Sequence, residues 1–204
     1  MKEKLTYTLL GEGYAEYTFL EIYLRRVFEK EKPNIQLVSS RQMKPSGGKS
    51  SSSVILSKIK DHYITSFINK NDVKLFIAGI DLDESDFEDD MPKYQARIEE
   101  IKNKIGKLYS KFEDKTILFV PIQAIDYWVL YQDKSEGKIA NSSLEAKSKD
   151  EIKKKLYGIS NANQIKIEKV ATEVAQKADF EELAKQSKSF KLFHNQVKSF
   201  IDNL

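Results

Sequence analysis

The run VKLFIAGI at residues 73–80 limits what this chain can fold into more than any other stretch. It is apolar almost throughout and lacks the in-out alternation of a strand with one wet face. A strand of that kind is covered on both sides, the condition of a central strand in a parallel sheet. TILFVPI at 116–122 has the same character. KLTYTLL at 4–10 and IQLVSS at 35–40 are short, β-branched or aromatic, and read as two more strands.

Helical patterns separate these runs. Phe19, Leu20, Tyr23, Leu24, Val27 and Phe28 recur at threes and fours, so the segment after the first strand is an amphipathic helix that Pro33 ends. Val54, Ile55, Ile59, Tyr63 and Phe67 form one stripe within 54–70. A third helix is expected from Pro92 to Phe112, with Pro92 suited to its first turn. AIDYWVLYQ at 124–132 is another apolar helix or turn. Beyond Asp133 the chain turns Lys- and Ser-rich, with helical patterns near 145–157, 163–178 and 179–203 and no strand signal. Strands separated by helices build a parallel sheet with right-handed crossovers and helices on both faces. The expectation is an α/β domain over 1–132, a three-layer sandwich on a mainly parallel four-stranded sheet. A Lys-rich helical C-terminal extension over 133–204 packs on it.

At 204 residues, 40% hydrophobic and 32% charged, the chain has the composition of a soluble globular protein. It has no cysteine, which excludes disulfides, zinc–thiolate sites and cysteine nucleophiles. No apolar run approaches a membrane span. MKEKLTYTLLGEG reads as a first strand, not a signal peptide, so a cytoplasmic protein with no membrane association is expected. The net charge of +3 is too near balance to imply nucleic-acid binding, but the local sign varies. Arg25, Arg26, Lys30, Lys32, Arg41, Lys44 and Lys49 make the early part basic, and Lys147, Lys149, Lys153, Lys154 and Lys155 form a second basic stretch. The charges of 81–90 are all acidic.

Ligands of open α/β sheets sit at the carboxyl ends of the strands. The loops there are 11–16, 39–53, 81–90 and 121–128; three carry carboxylates, and the other carries Arg41, Lys44 and Lys49. Glu12 lies between Gly11 and Gly13, which permit a sharp turn or a positive φ. Glu16 follows one helical turn later, so both carboxylates can face one way; a helix N-terminus favouring acids through its dipole explains them equally. Asp81 and Asp83 alternate at the end of a strand, and an extended backbone points them to the same side. Carboxylates held close repel unless a cation sits between them, and Mg²⁺ needs only one or two carboxylates besides its waters. Glu84, Asp86, Glu88, Asp89 and Asp90 read as solvated or as serving the next helix, with Asp86 the one placed to reach an ion. Asp126 either joins the acidic edge or caps a short helix.

GGKSSSS at 47–53 fails the phosphate-loop pattern, because Met43 stands where Gly is required. That basic loop is either a contact for a phosphate backbone through Arg41, Lys44 and Lys49, or a linker. Trp128 reads as core before stacking platform. His62 and His194 lack ligand spacing, and no Ser-His-Asp pattern stands out.

GEG at 11–13 with DLD at 81–83 resembles the TOPRIM (topoisomerase–primase) superfamily. More closely, the chain resembles small bacterial TOPRIM-like proteins of uncharacterised function, through EGYAE at 12–16, PIQAIDYW at 121–128 and KSFKLF at 188–193. The core of the likeness covers residues 4–132. It implies a Rossmannoid fold and Mg²⁺- or Mn²⁺-dependent phosphoryl chemistry on DNA or RNA, as in nucleases of bacterial defence or DNA repair; a partner ATPase is expected if the chain is instead a non-catalytic module. Carried over, Asp81 and Asp83 are metal ligands, Glu12 a ligand or general acid/base, and Glu16 a second-metal ligand. Asp126 stands where the motif has Glu, one methylene shorter, which puts its role as a ligand in doubt. The competing expectations are a non-catalytic TOPRIM-like module that binds nucleic acid or a partner, and a nucleotide-sugar transferase, disfavoured for want of a large acceptor domain.

Overall fold

Four parallel strands form the centre of the molecule: β1 (Glu3–Leu10), β2 (Ile35–Gln42), β3 (Val73–Gly79) and β4 (Thr116–Phe119), in the order β2-β1-β3-β4. The computed structural model describes residues 2–42, 51–69, 72–86, 88–131 and 147–204. β1 pairs with β2 from Glu3↔Ile35 onward and with β3 through Tyr7↔Leu75 to Leu10↔Ala78; β3 pairs with β4 through Phe76↔Thr116 to Gly79↔Phe119. The continuous apolar run is therefore a central strand, and its burial on both faces accounts for the missing alternation.

Two cores lie on opposite faces of the sheet. Leu75 and Ile77 of β3 join the core that contains the buried side of α1 (Tyr14–Glu31) and every residue of α4 (Ile125–Tyr131) except Asp126. Phe76 and Ala78 join the other, formed with α2 (Ser52–Ile64) and α3 (Pro92–Ile105). The result is an α/β three-layer sandwich, as the alternating pattern of runs predicts. Gly79 is required by a close approach: a Cβ there would lie 2.2 Å from the Phe119 carbonyl oxygen.

The remaining helices are α5 (Lys149–Tyr157), α6 (Gln164–Lys177), α7 (Phe180–Gln186) and α8 (Lys188–Asp202). Each starts on a side-chain cap: Ser148 with Glu151 as a reciprocal capping box, then Asn163, Asp179 and Ser187. They complete the core on the α1 face. Ile152, Ala175, Phe180, Leu183, Phe190, Phe193 and Val197 pack into it, with Phe180, Phe190 and Phe193 set around Tyr23. Trp128 is fully buried there and donates to Ser189 Oγ at 3.0 Å, so it is core. Among the described residues no helix is long and apolar enough to cross a membrane.

Candidate functional site

The strand order decides where a ligand crevice opens. From β1 the chain moves outward to β2, then crosses back to β3 on the other side of β1. The sheet reverses direction between β1 and β3, and the crevice belongs at the carboxyl ends of those two strands. Glu12 follows β1 and Asp81 follows β3, and they meet: the Asp81 backbone N–H donates to Glu12 Oε1 at 2.9 Å.

Around that contact the sequence-distant acids assemble. Glu12, Glu16, Asp81 and Asp126 line one cleft of about 180 Å³, together with Lys149, Lys153 and Tyr157. Asp81 Oδ1 accepts from the Ile125 N–H at 3.2 Å, and its Oδ2 lies 3.8 Å from Lys149 Nζ. The same ammonium is paired with Asp83 Oδ1. Asp126, in the first turn of α4, accepts a hydrogen bond from the Tyr157 hydroxyl.

Gly11 and Gly13 make room for Glu16. Neither has a positive φ, and the chain bends at Glu12 and Gly13, so of the two alternatives the turn holds and the positive φ does not. A Cβ on Gly11 would stand 2.9 Å from Glu16 Cβ, and one on Gly13 3.1 Å from Glu16 Oε2. Gly11 is needed because Glu16 packs against its backbone, whereas a side chain at Gly13 would only push the Glu16 carboxylate aside by a few tenths of an ångström.

Burial dominates the electrostatics. It pushes the Glu16 carboxyl up to about 8, opposed by backbone N–H groups and reinforced by Asp126 and Glu12. It holds Asp81 well above the usual carboxylate range, with Glu16 and Glu12 adding to the effect and Lys149 opposing it. Burial also raises Glu12. For Lys149, burial works against the charge, but Asp81 and Asp83 outweigh it and the ammonium is held above its ordinary range.

Several expectations are corrected. Asp83 does not continue an extended backbone beside Asp81; it takes the left-handed conformation at φ 64°, as does Gln123 at φ 65°. The two residues face each other, with Asp83 N–H donating to Gln123 O at 3.1 Å and Gln123 N–H to Glu84 O at 3.2 Å. Asp83 is about half exposed at the rim and reaches the site through Lys149. Asp86 does not face the cleft. It is buried, and its Oδ2 accepts from the Tyr94 N–H at 2.8 Å, capping α3 where Met91 has no side-chain oxygen to do so. Glu84 pairs with Lys93 and Asp89 with Lys188, both in solvent. Arg41 lies at the end of β2, and Lys44 and Lys49 fall outside the described residues.

Sequence reasoning missed Lys149 and Tyr157 as members of the site. Lys149, Lys153 and Tyr157 recur every four residues, so one face of α5 carries all three. That spacing was visible in the sequence; its target was not.

Among the described residues no three His, Asp or Glu side chains stand in an arrangement that holds a metal ion. The donors are nonetheless carboxylate oxygens gathered in one partly buried cleft. That chemistry fits a hard cation such as Mg²⁺, which one or two carboxylates and its own waters satisfy. Compared with known proteins, the chain matches no family model, no curated protein and no solved structure.

Proposed function

We propose that the chain is a Mg²⁺- or Mn²⁺-dependent, TOPRIM-type nuclease or related phosphodiester-processing protein acting on DNA or RNA. One observation carries the reading: Glu12, Glu16, Asp81 and Asp126 share a cleft at the reversal point of the sheet, where burial and mutual repulsion raise the proton affinity of Glu16 and Asp81. Carboxylates in that condition are stabilised by a cation.

Glu12, Glu16, Asp81 and Asp126 would hold the ion, with Asp83 at the rim. Bound there, it would supply a Lewis acid for a phosphoryl oxygen and an acidified water. The chain orients the ligands beforehand. The Ile125 N–H fixes Asp81 Oδ1, the Asp81 N–H fixes Glu12 Oε1, and the Tyr157 hydroxyl fixes Asp126 Oδ1. Lys153 lines the cleft, and Lys154 and Lys155 stand on the same helix, exposed. These cations favour a polyanion and would make its binding salt-dependent. Defence and repair are the settings in which such an activity serves.

The test is cleavage of DNA and RNA substrates with Mg²⁺ or Mn²⁺, comparing the wild type with Asp81→Asn and Glu12→Gln. Cation-dependent cleavage lost in both folded variants is the expected result. Cleavage that survives Asp81→Asn overturns the assignment.

A second reading rests on Lys149, whose ammonium already neutralises Asp81 and Asp83. A cleft balanced in this way suits a non-catalytic module that binds nucleic acid or a partner such as an ATPase. It predicts binding without turnover under every cation tried.

A further inference from the structure

We infer that Lys149 is the resident counter-ion of the acidic cleft, and that a divalent cation enters by displacing its ammonium group. The inference rests on the cation-binding reading of the same cleft and adds how that binding is regulated.

Three observations converge on it. The ammonium lies between Asp81 Oδ2, at 3.8 Å, and Asp83 Oδ1, so it stands against oxygens that a divalent ion would use. The other ion pairs of the acidic loop point away: Lys93 takes Glu84 and Lys188 takes Asp89. The backbone beneath Lys149 is pinned, because it is the first residue of α5 and the Ser148–Glu151 capping box closes that end. The side chain is about one-third exposed, at 32%. A four-carbon stem on a fixed helix start can leave by changing rotamer, with no movement of the fold.

The energetics give the inference a sign. An ammonium and a divalent ion seek the same oxygens, and only one can hold them. Each must be repaid for removing the other, so the apparent affinity for the divalent ion is reduced by the stability of the Lys149 pair. Removing the Lys149 charge makes the cleft more negative and frees its oxygens, so a divalent ion should bind more tightly. A lysine that stays in place when the ion binds also loses its repulsion on neutralisation, so it is the accessibility of the Lys149 ammonium with and without the metal that separates displacement from a bystander charge. Tyr157, two turns along the same face of α5, keeps Asp126 anchored while Lys149 moves. The device is thus confined to one side chain.

The experiment titrates Mn²⁺ alone, without nucleic acid, into wild type, Lys149→Gln, Lys149→Arg and Asp81→Asn, reading affinity by calorimetry and folding by circular dichroism. Lys149→Gln is expected to tighten Mn²⁺ binding by about tenfold, within the usual range of coupling between contacting groups. Lys149→Arg, which keeps the charge, should stay near wild type. In the unmodified protein, acylation of Lys149, followed by peptide mass analysis, should accelerate several-fold when Mg²⁺ is added; this second measurement stands even where a variant does not fold. Equal or weaker Mn²⁺ binding by folded Lys149→Gln, or acylation indifferent to Mg²⁺, overturns the inference. If Mn²⁺ binding is present and lost in Asp81→Asn, that failure leaves the cation reading intact. If neither wild type nor Lys149→Gln binds Mn²⁺, the cation reading itself fails and takes this inference with it.

Discussion

The side-chain amide of Gln196 meets both backbone groups of Leu118: Nε2 donates to the carbonyl at 2.9 Å, and Oε1 accepts from the N–H at 3.2 Å. β4 is an edge strand of the sheet, and α8 brings this residue alongside it. The amide does what a further strand would do at that residue, which blunts an edge otherwise open to pairing with another chain.

Gln196→Ala removes both bonds at once. Stability should fall by about 1–3 kcal/mol, and self-association should rise with concentration. Urea denaturation and light scattering measure the two effects. An unchanged midpoint would mean that water replaces the amide without loss.

Tyr157 is the only contact holding Asp126 that the hydrogen-bond geometry makes plain among the described residues, and both are buried. Tyr157→Phe deletes the hydroxyl and leaves a buried carboxylate short of a donor. The expected cost is about 1–3 kcal/mol. Asp126→Asn, which keeps an acceptor for the hydroxyl, should cost less. Paired denaturation curves decide the order.

Asp86 was the acidic-loop residue expected to reach an ion beyond Asp81 and Asp83, yet it caps α3 through Tyr94. Asp86→Ala should lower stability by about 1 kcal/mol, the usual worth of a lost cap. Mn²⁺ affinity should be unchanged in the folded variant. A large loss of affinity would return Asp86 to the site.

His194 supplies a pH dependence remote from the cleft. It is buried, its Nδ1 bonded with the Tyr23 hydroxyl, and Glu181, Lys198 and Lys30 act on it. Burial holds its pKa below the ordinary value of 6.5; Glu181 opposes this, and Lys198 and Lys30 add to it. Below that ordinary value the unfolded chain takes a proton that the folded one resists. The contribution to stability is therefore present above pH 6.5 and is lost as pH falls through the folded-state value. Melting temperature followed downward from pH 7 should drop more steeply in wild type than in His194→Gln. Parallel curves would sink this assignment.

The legible part of the site was the part governed by local pattern. Glu12 and Asp81 were found because each directly follows a strand, and the strands were plain from their apolar runs. Glu16 was found because it lies one helical turn beyond Glu12. Asp83 was misread in conformation, since nothing in DLDESD announces a left-handed residue facing Gln123. Lys149 and Tyr157 were invisible as partners of Asp81, Asp83 and Asp126, because no local rule connects positions so far apart in the chain.

By itself, the sequence determined the layers. The spacing of apolar residues specifies which segments are strands or helices and which faces they must bury, because removing apolar surface from water depends on composition and period alone. Only the tertiary structure decided that β3 returns beside β1, that the Ile125 N–H and Lys149 meet Asp81, and that Gly11 yields its space to Glu16. Those outcomes depend on distances between side chains remote in sequence, and such distances exist only once the two cores have packed.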